Sequence, residues 1–174
     1  MPALLDDCAR EIRGLVLVAA DPEASHDDRP AAACRRVEGV LRPLTEIPVL
    51  PGVPSGDAYP SGLAVSPDGR FVWTATRGED VLSVFAVAPG ADRLDRSAGS
   101  DGAAGTEGAA GPRLIATVAC GGHWPRALIE SHGFLYVANE RSGDVTWFAV
   151  DPDTGMLRRR GSIPVTAASC VVVG

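Results

Sequence analysis

The stretch YPSGLAVSPDGRFVWTATRGEDVLSVFAV, residues 59–87, sets alternating apolar runs on either side of a Ser-Pro-Asp-Gly-Arg turn. Residues 124–150, WPRALIESHGFLYVANERSGDVTWFAV, repeat the phrase. Superposition puts Pro60 on Pro125, Leu63 on Leu128 and Ser66 on Ser131. After a two-residue deletion, Phe71 falls on Phe134, Ala75 on Ala138 and Phe85-Ala86-Val87 on Phe148-Ala149-Val150. Each copy reads as strand, glycine turn, strand, short polar loop, strand. Asp68-Gly69 suits a hairpin turn that needs positive φ. FVWTAT (71–76) and FLYVAN (134–139) are β-branched and aromatic, as a strand sandwiched in a core should be.

A second turn follows in each copy, APGAD (88–92) and DPDTG (151–155), and then a fourth strand, RLIATVA (113–119) and RRRGSIPV (158–165). A fainter third copy precedes both. PALL (2–5) matches PRAL (125–128), LVLVAAD (15–21) matches FLYVANE (134–140), and residues 33–50 supply two strands around Glu38-Gly39. Leu4, Leu5, Cys8 and Ile12 also fit a helical stripe, but the match to the later copies assigns residues 3–12 to strand. Four-stranded antiparallel units repeating every ~45 residues are the signature of β-propeller blades. The expected fold is therefore all-β, with about three four-stranded antiparallel blades near residues 2–50, 60–119 and 125–165 and an extra strand at 168–173. Residues 95–112, DRSAGSDGAAGTEGAAGP, carry glycine at every third position from Gly99 to Gly111 but almost no proline, so they form no collagen-like helix. They read as a flexible insertion on the rim of the middle blade.

The bulk numbers exclude several function classes. The chain has 174 residues, 45% of them hydrophobic, which is enough for one ordinary domain with a sizeable core. Its net charge of −6 argues against a broad grip on nucleic acid or anionic lipid. All 16 basic residues are arginine, so no lysine can serve as a nucleophile or Schiff base. The N-terminal stretch carries Asp6 and Asp7 where a signal peptide needs positive charge, and the longest early apolar run, LVLVAA (15–20), is strand-sized. Four well-separated cysteines (Cys8, Cys34, Cys120, Cys170) form no Cys-x-x-Cys pair and read as reduced, mostly buried thiols of a cytoplasmic protein. The three histidines have no metal-ligand spacing, and no P-loop, nucleophile elbow or dinucleotide fingerprint is present, so no metal or cofactor is expected.

SPDGRFVWTATRGEDVLSVFAV, then GGHWPRAL, VANERSGDVTWFAVDPDTGML and the terminal PVTAASCVVV, resemble the C-terminal part of the lactonase-type seven-bladed propeller family. That family includes bacterial 6-phosphogluconolactonases and carboxymuconate-cyclising enzymes. The resemblance is strong from about residue 37 to 174. It implies a seven-bladed ring, of which this chain supplies a part, and hydrolysis of a sugar lactone such as 6-phosphogluconolactone. By resemblance, Arg77 sits where the family places an arginine of the central funnel, and Arg126 matches the blade-opening Pro-Arg. Asp21 falls where the family carries a glutamate. Pro2-Ala3-Leu4 and Ala64 depart from positions where the family often carries histidine. Those departures remove acid/base equipment and leave a second reading open, a non-catalytic propeller fragment acting as a binding or assembly module.

Opening a lactone needs a base to activate water and a stabiliser for the tetrahedral oxyanion. An arginine fork grips carboxylate or phosphate with two bonds at once, so Arg77 and Arg126 are the candidate substrate binders. Against these roles stand a loop pairing of Arg77 with Glu79 or Asp80, and an inter-blade hydrogen bond for Arg126. His123, beside the blade-opening motif, is the candidate general base, because histidine titrates near neutral pH. Asp21 is a second catalytic candidate, against the alternative of a turn aspartate before Pro22. Glu140, after Asn139, is a weaker one. Trp73, Trp124 and Trp147 are expected to pack blades. The expected partner is a small anionic lactone, with no nucleic acid or membrane. Three blades that do not close a ring leave apolar flanks, so self-association or missing blades from a partner are also expected.

Overall fold

A computed structural model describes the backbone of residues 9–12, 15–18, 31–37, 40–56, 58–87 and 111–174, with side chains from Ile47 onward. Among these residues every regular element is a strand. The first four-stranded sheet comprises β1 (Ala9–Ile12), β2 (Leu15–Val18), β3 (Ala31–Val37) and β4 (Val40–Ile47). The second comprises β5 (Tyr59–Val65), β6 (Phe71–Arg77), β7 (Val81–Val87) and β8 (Pro112–Ala119). The third comprises β9 (Pro125–Ser131), β10 (Phe134–Asn139), β11 (Asp144–Val150) and β12 (Leu157–Pro164). All three sheets are antiparallel meanders in sequence order, the topology of propeller blades. The opening strands β1, β5 and β9 lie side by side, so the blades stack face to face around a common inner edge.

Alternation along β6 shows why that stacking is stable. Phe71, Trp73 and Ala75 point into one buried cluster with Leu82, Val84, Leu128, Leu135, Val137 and Phe148 of the second and third blades. Val72, one residue out of phase, points the other way into a cluster with Ile47, Val49 and Phe85. A strand whose two faces are both covered is an almost continuous apolar run, and residues 71–76 of β6 are all buried. The outer strand β12 is mostly exposed, and its run of Arg158, Arg159 and Arg160 with Pro164 discourages pairing by a further edge.

The two signature turns lie at the hairpin end of the blades and tie them together. Gly69 adopts φ 72°, and the Ser66 hydroxyl donates to Asp68 at 2.7 Å while accepting from the Phe71 N–H at 2.9 Å. The Ser66 hydrogen bond and then the bonds from Arg70 hold the Asp68 carboxyl down to about 2. Arg70 reaches across to donate to the Pro152 carbonyl at 2.7 Å, and the Trp73 indole N–H donates to the Gly155 carbonyl at 2.9 Å. The Ser-Pro-Asp-Gly-Arg and Asp-Pro-Asp-Thr-Gly turns are thus two halves of one blade-to-blade joint.

Four expectations need correction or placement. Residues 168–173 form no strand: Ala168 is buried against Ala138 and Val145, but no neighbouring strand offers its backbone groups a ladder among the described residues. The opening strand of the first blade is Ala9–Ile12, with PALL (2–5) outside the described residues. Cys120 is buried but Cys170 is exposed, because the segment that carries it is not folded into a sheet. Most of the proposed insertion, residues 95–110, also lies outside the described residues.

Candidate functional site at the inner mouth of the blades

In each meander the start of the first strand, the end of the second and the start of the third share one end of the blade. Tyr59, Arg77 and Val81 mark that end in the second blade, and Pro125, Asn139 and Asp144 in the third. The repeat therefore gathers the polar loops after β6 and β10 with Tyr59 at the start of β5 and Trp124 just before β9. Superposition of the two copies places Tyr59 on Trp124 and Arg77 on Glu140.

The loop Cys120–Trp124 crosses from the second blade to the third, and Asp80 fixes it. One carboxylate oxygen of Asp80 accepts from the Trp124 N–H at 2.8 Å, and the other pairs with Nδ1 of His123. Because a carboxylate can only accept, this contact puts the proton on Nδ1 and leaves Nε2 as the basic nitrogen. The Asp80 carbonyl also accepts from the Cys120 N–H at 2.9 Å. Burial pushes the Cys120 thiol up to about 11, so it is inert as a nucleophile.

Trp124 has φ 65°, a conformation that costs a bulky residue ~1–3 kcal/mol and persists where the surroundings over-determine it. Here the second shared support is the turn after β10. Glu140 N–H donates to the Trp124 carbonyl at 3.1 Å, Arg141 N–H to the His123 carbonyl at 3.2 Å, and His123 N–H to the Ser142 hydroxyl at 2.8 Å. Gly122 is needed in this loop, since a Cβ there would meet Asn139 Nδ2 at 2.5 Å and Ser142 Oγ at 2.6 Å.

The result is an aromatic–arginine cluster between the inner strands. The rings of Tyr59 and Trp124 are 6.0 Å apart. The Arg77 guanidinium lies 5.7 Å from each ring centroid, and that of Arg141 lies 3.3 Å from the Trp124 centroid. Arg126 Nη1 bonds both carboxylate oxygens of Glu140, at 3.1 and 3.0 Å. Glu79, in the loop that follows Arg77, accepts from the backbone and hydroxyl of Ser55 at 2.7 and 2.9 Å and so anchors the segment leading into β5.

A profile of the family described as Lactonase, 7-bladed beta-propeller matches residues 31–100 and 106–173. The chain belongs to this lactonase family. A curated 6-phosphogluconolactonase of Bacillus subtilis is 28% identical over 121 residues, which cover 68% of this chain and 30% of that one. Among solved structures, a Lactobacillus plantarum protein superimposes with TM-score 0.71 at 22% identity, covering 90% of this chain and 40% of its own. The periplasmic gluconolactonase of Pseudomonas aeruginosa gives TM-score 0.65 at 25% identity, covering 92% of this chain and 36% of its own. This lactonase-family chain thus spans less than half the length of the relatives it matches.

Of the residues singled out by sequence, Arg77, His123 and Arg126 come together at this end, with Glu140 beside Arg126. Asp21 lies outside the described residues. Arg126 makes its ion pair within its own blade rather than a bond to the next. Trp73 is wholly buried as a packing residue, and Trp147 packs on Gly161, whose added Cβ would meet the indole at 2.6 Å. Trp124 departs from the packing role, because the strained loop lifts it into the arginine cluster. Sequence reading also passed over Tyr59 and Arg141, and it named Asp80 only as a loop partner for Arg77, not as the carboxylate that meets His123 and the Trp124 N–H. The repeat held one signal, for Tyr59 alone: the residue before each blade-opening proline is aromatic in both copies. Among the described residues, no three histidine, cysteine or acidic side chains gather as a metal site, and no helix is long and apolar enough to cross a membrane.

Proposed function

We propose that this chain carries part of the site of a lactone hydrolase whose substrate is an anionic sugar lactone such as 6-phosphogluconolactone. The observation that carries the reading is the His123–Asp80 pair, set beside Arg77 at the inner mouth of two lactonase-family blades. Asp80 holds the imidazole with Nε2 available as a base. In the proposed reaction, Nε2 takes a proton from water as its oxygen attacks the lactone carbonyl. Arg77 supports the developing oxyanion by charge. The tetrahedral intermediate collapses by breaking the bond from the carbonyl carbon to the ring oxygen. His123 returns its proton to that oxygen, giving a carboxylic acid and a free hydroxyl.

The test is hydrolysis of 6-phosphogluconolactone, corrected for spontaneous opening, by wild type and by His123→Gln and Arg77→Ala. Loss of a general base costs about 10²–10⁴ in rate. Wild-type turnover that survives His123→Gln within threefold would remove His123 from the mechanism. Wild-type hydrolysis no faster than the spontaneous rate would favour the second reading, a non-catalytic binding module, which rests on Ala64 and Pro2-Ala3-Leu4 where the family often carries histidine.

A further inference from the structure

The arginine expected from sequence to share anion binding with Arg77 is Arg126, yet its guanidinium is committed to Glu140. Arg141 is different. Its backbone is fixed by the bond to the His123 carbonyl, and its side chain lies on the face of Trp124 at 3.3 Å. Among the described residues no carboxylate lies within ion-pair distance of it. Stacking occupies the face of a guanidinium and leaves its in-plane N–H fork available for a planar or tetrahedral anion. Arg77 stands over the same indole, so two like charges share one ring. Asp80, whose carboxylate accepts from the Trp124 N–H, is also engaged with His123.

We infer that Arg141, held on Trp124, is the residue that selects a phosphorylated over an unphosphorylated lactone, by forking to the phosphate. This rests on the lactonase reading for its substrate and on the Arg77–Trp124–Arg141 geometry for its site. Trp124 acts as a positioning residue. Its strained backbone and its ring together hold the guanidinium of the exposed Arg141 at the mouth, and Tyr59 stands on the other side of the cluster.

Two measurements on the full chain separate this inference from the reading beneath it. The first compares kcat/KM for 6-phosphogluconolactone and for gluconolactone in wild type, Arg141→Ala, Arg141→Lys and Trp124→Leu. Losing one charged hydrogen-bonding group should lower the phosphorylated rate constant about 10- to 100-fold. The neutral lactone should change less than about threefold. Arg141→Lys should recover part of the loss, keeping charge without the fork, whereas Trp124→Leu removes a platform shared with Arg77 and should lower the phosphorylated rate constant at least as far as Arg141→Ala while also lowering turnover of the neutral lactone. The second follows indole fluorescence during titration with inorganic phosphate, which needs no turnover. Saturable binding in wild type that disappears in Arg141→Ala supports the inference even where no lactone is hydrolysed, and then only the hydrolase reading falls. Turnover that falls equally on both lactones in Arg141→Ala, or phosphate binding unchanged in Arg141→Ala, overturns it. No saturable phosphate binding by wild type overturns it too.

Discussion

Gly62→Ala is the sharpest probe of how the second and third blades meet. Gly62 lies in the irregular stretch of β5 between Pro60 and Leu63, facing β9. An added Cβ would fall 2.8 Å from the Leu128 nitrogen and 3.0 Å from the Ala127 Cα. The first contact is about 0.7 Å inside an optimal ~3.5 Å separation, and both obstacles are backbone, which cannot rotate away. The inner strands of two blades must therefore part, and the 2.6 Å bond from the Ser61 hydroxyl to the Pro125 carbonyl lengthens with them. Overpacking of this kind costs about 1–3 kcal/mol. Alanine returns ~0.4–1 kcal/mol by restricting the unfolded chain. A net loss of about 1–2 kcal/mol lowers Tm by about 2–8 °C for a chain of this size. The assay is thermal unfolding by near-UV circular dichroism, with Gly56→Ala as the control. A Cβ added at Gly56 would meet nothing within 4 Å, and its φ is not positive, so this variant should melt at or slightly above wild type. Gly62→Ala melting at or above wild type would refute the close inner-strand packing on which the site depends.

Other expectations follow from the same contacts. Asp80→Ala removes the acceptor for both His123 and the Trp124 N–H, so hydrogen exchange over residues 120–124 should quicken while the buried strand β6 stays protected. Unchanged exchange in that loop would show that Asp80 does not hold it. Asp68 has its folded pKa lowered to about 2 from 3.8, so its contribution is full above about pH 4 and is lost as pH falls through 2. The stability gap between wild type and Asp68→Asn should close over that window in acid titrations of Tm. The gap should be under about 1 kcal/mol because the pair with Arg70 is half-exposed. Thiol labelling mapped by mass spectrometry should modify Cys170 in the folded protein and Cys120 only on unfolding, since burial raises the Cys120 thiol to about 11. Equal labelling rates would contradict the buried placement. Exposed Ile163, Val165 and Val172 are 52%, 40% and 81% accessible, so purified chain should show concentration-dependent association by light scattering. A monodisperse monomer at every concentration would remove that expectation.

Much of the fold was legible because propeller blades repeat. The offset that puts Leu63 on Leu128 and Phe85 on Phe148 carried strand order, turn positions and the two buried faces of β6. The first blade was harder to bound, since its match to the later copies is faint; its described opening strand is Ala9–Ile12, and residues 2–5 lie outside the described residues. The terminal run at 168–173 has the composition of a strand, but β structure is a property of two neighbours and composition describes only one. The site was legible in part. Arg77, His123 and Arg126 could be picked by residue type and resemblance, whereas their pairing could not. Which arginine is neutralised depends on Glu140 meeting Arg126 across β9 and β10. That Trp124 leaves the packing role depends on a positive φ imposed by Asp80 from another blade, a contact 44 residues away in sequence. No local pattern encodes such a contact.

The central claim is that the inner mouth of the second and third blades binds an anionic sugar derivative. It is tested most directly by titrating isotope-labelled protein with 6-phosphogluconate, the hydrolysis product, while following the Nε–H signals of arginine and the indole N–H of Trp124. The account predicts saturable shifts at Arg77, Arg141 and Trp124, with Arg70 at the opposite end of the blades unmoved. Shifts centred on Arg70 and Trp73, or none that saturate, would contradict it.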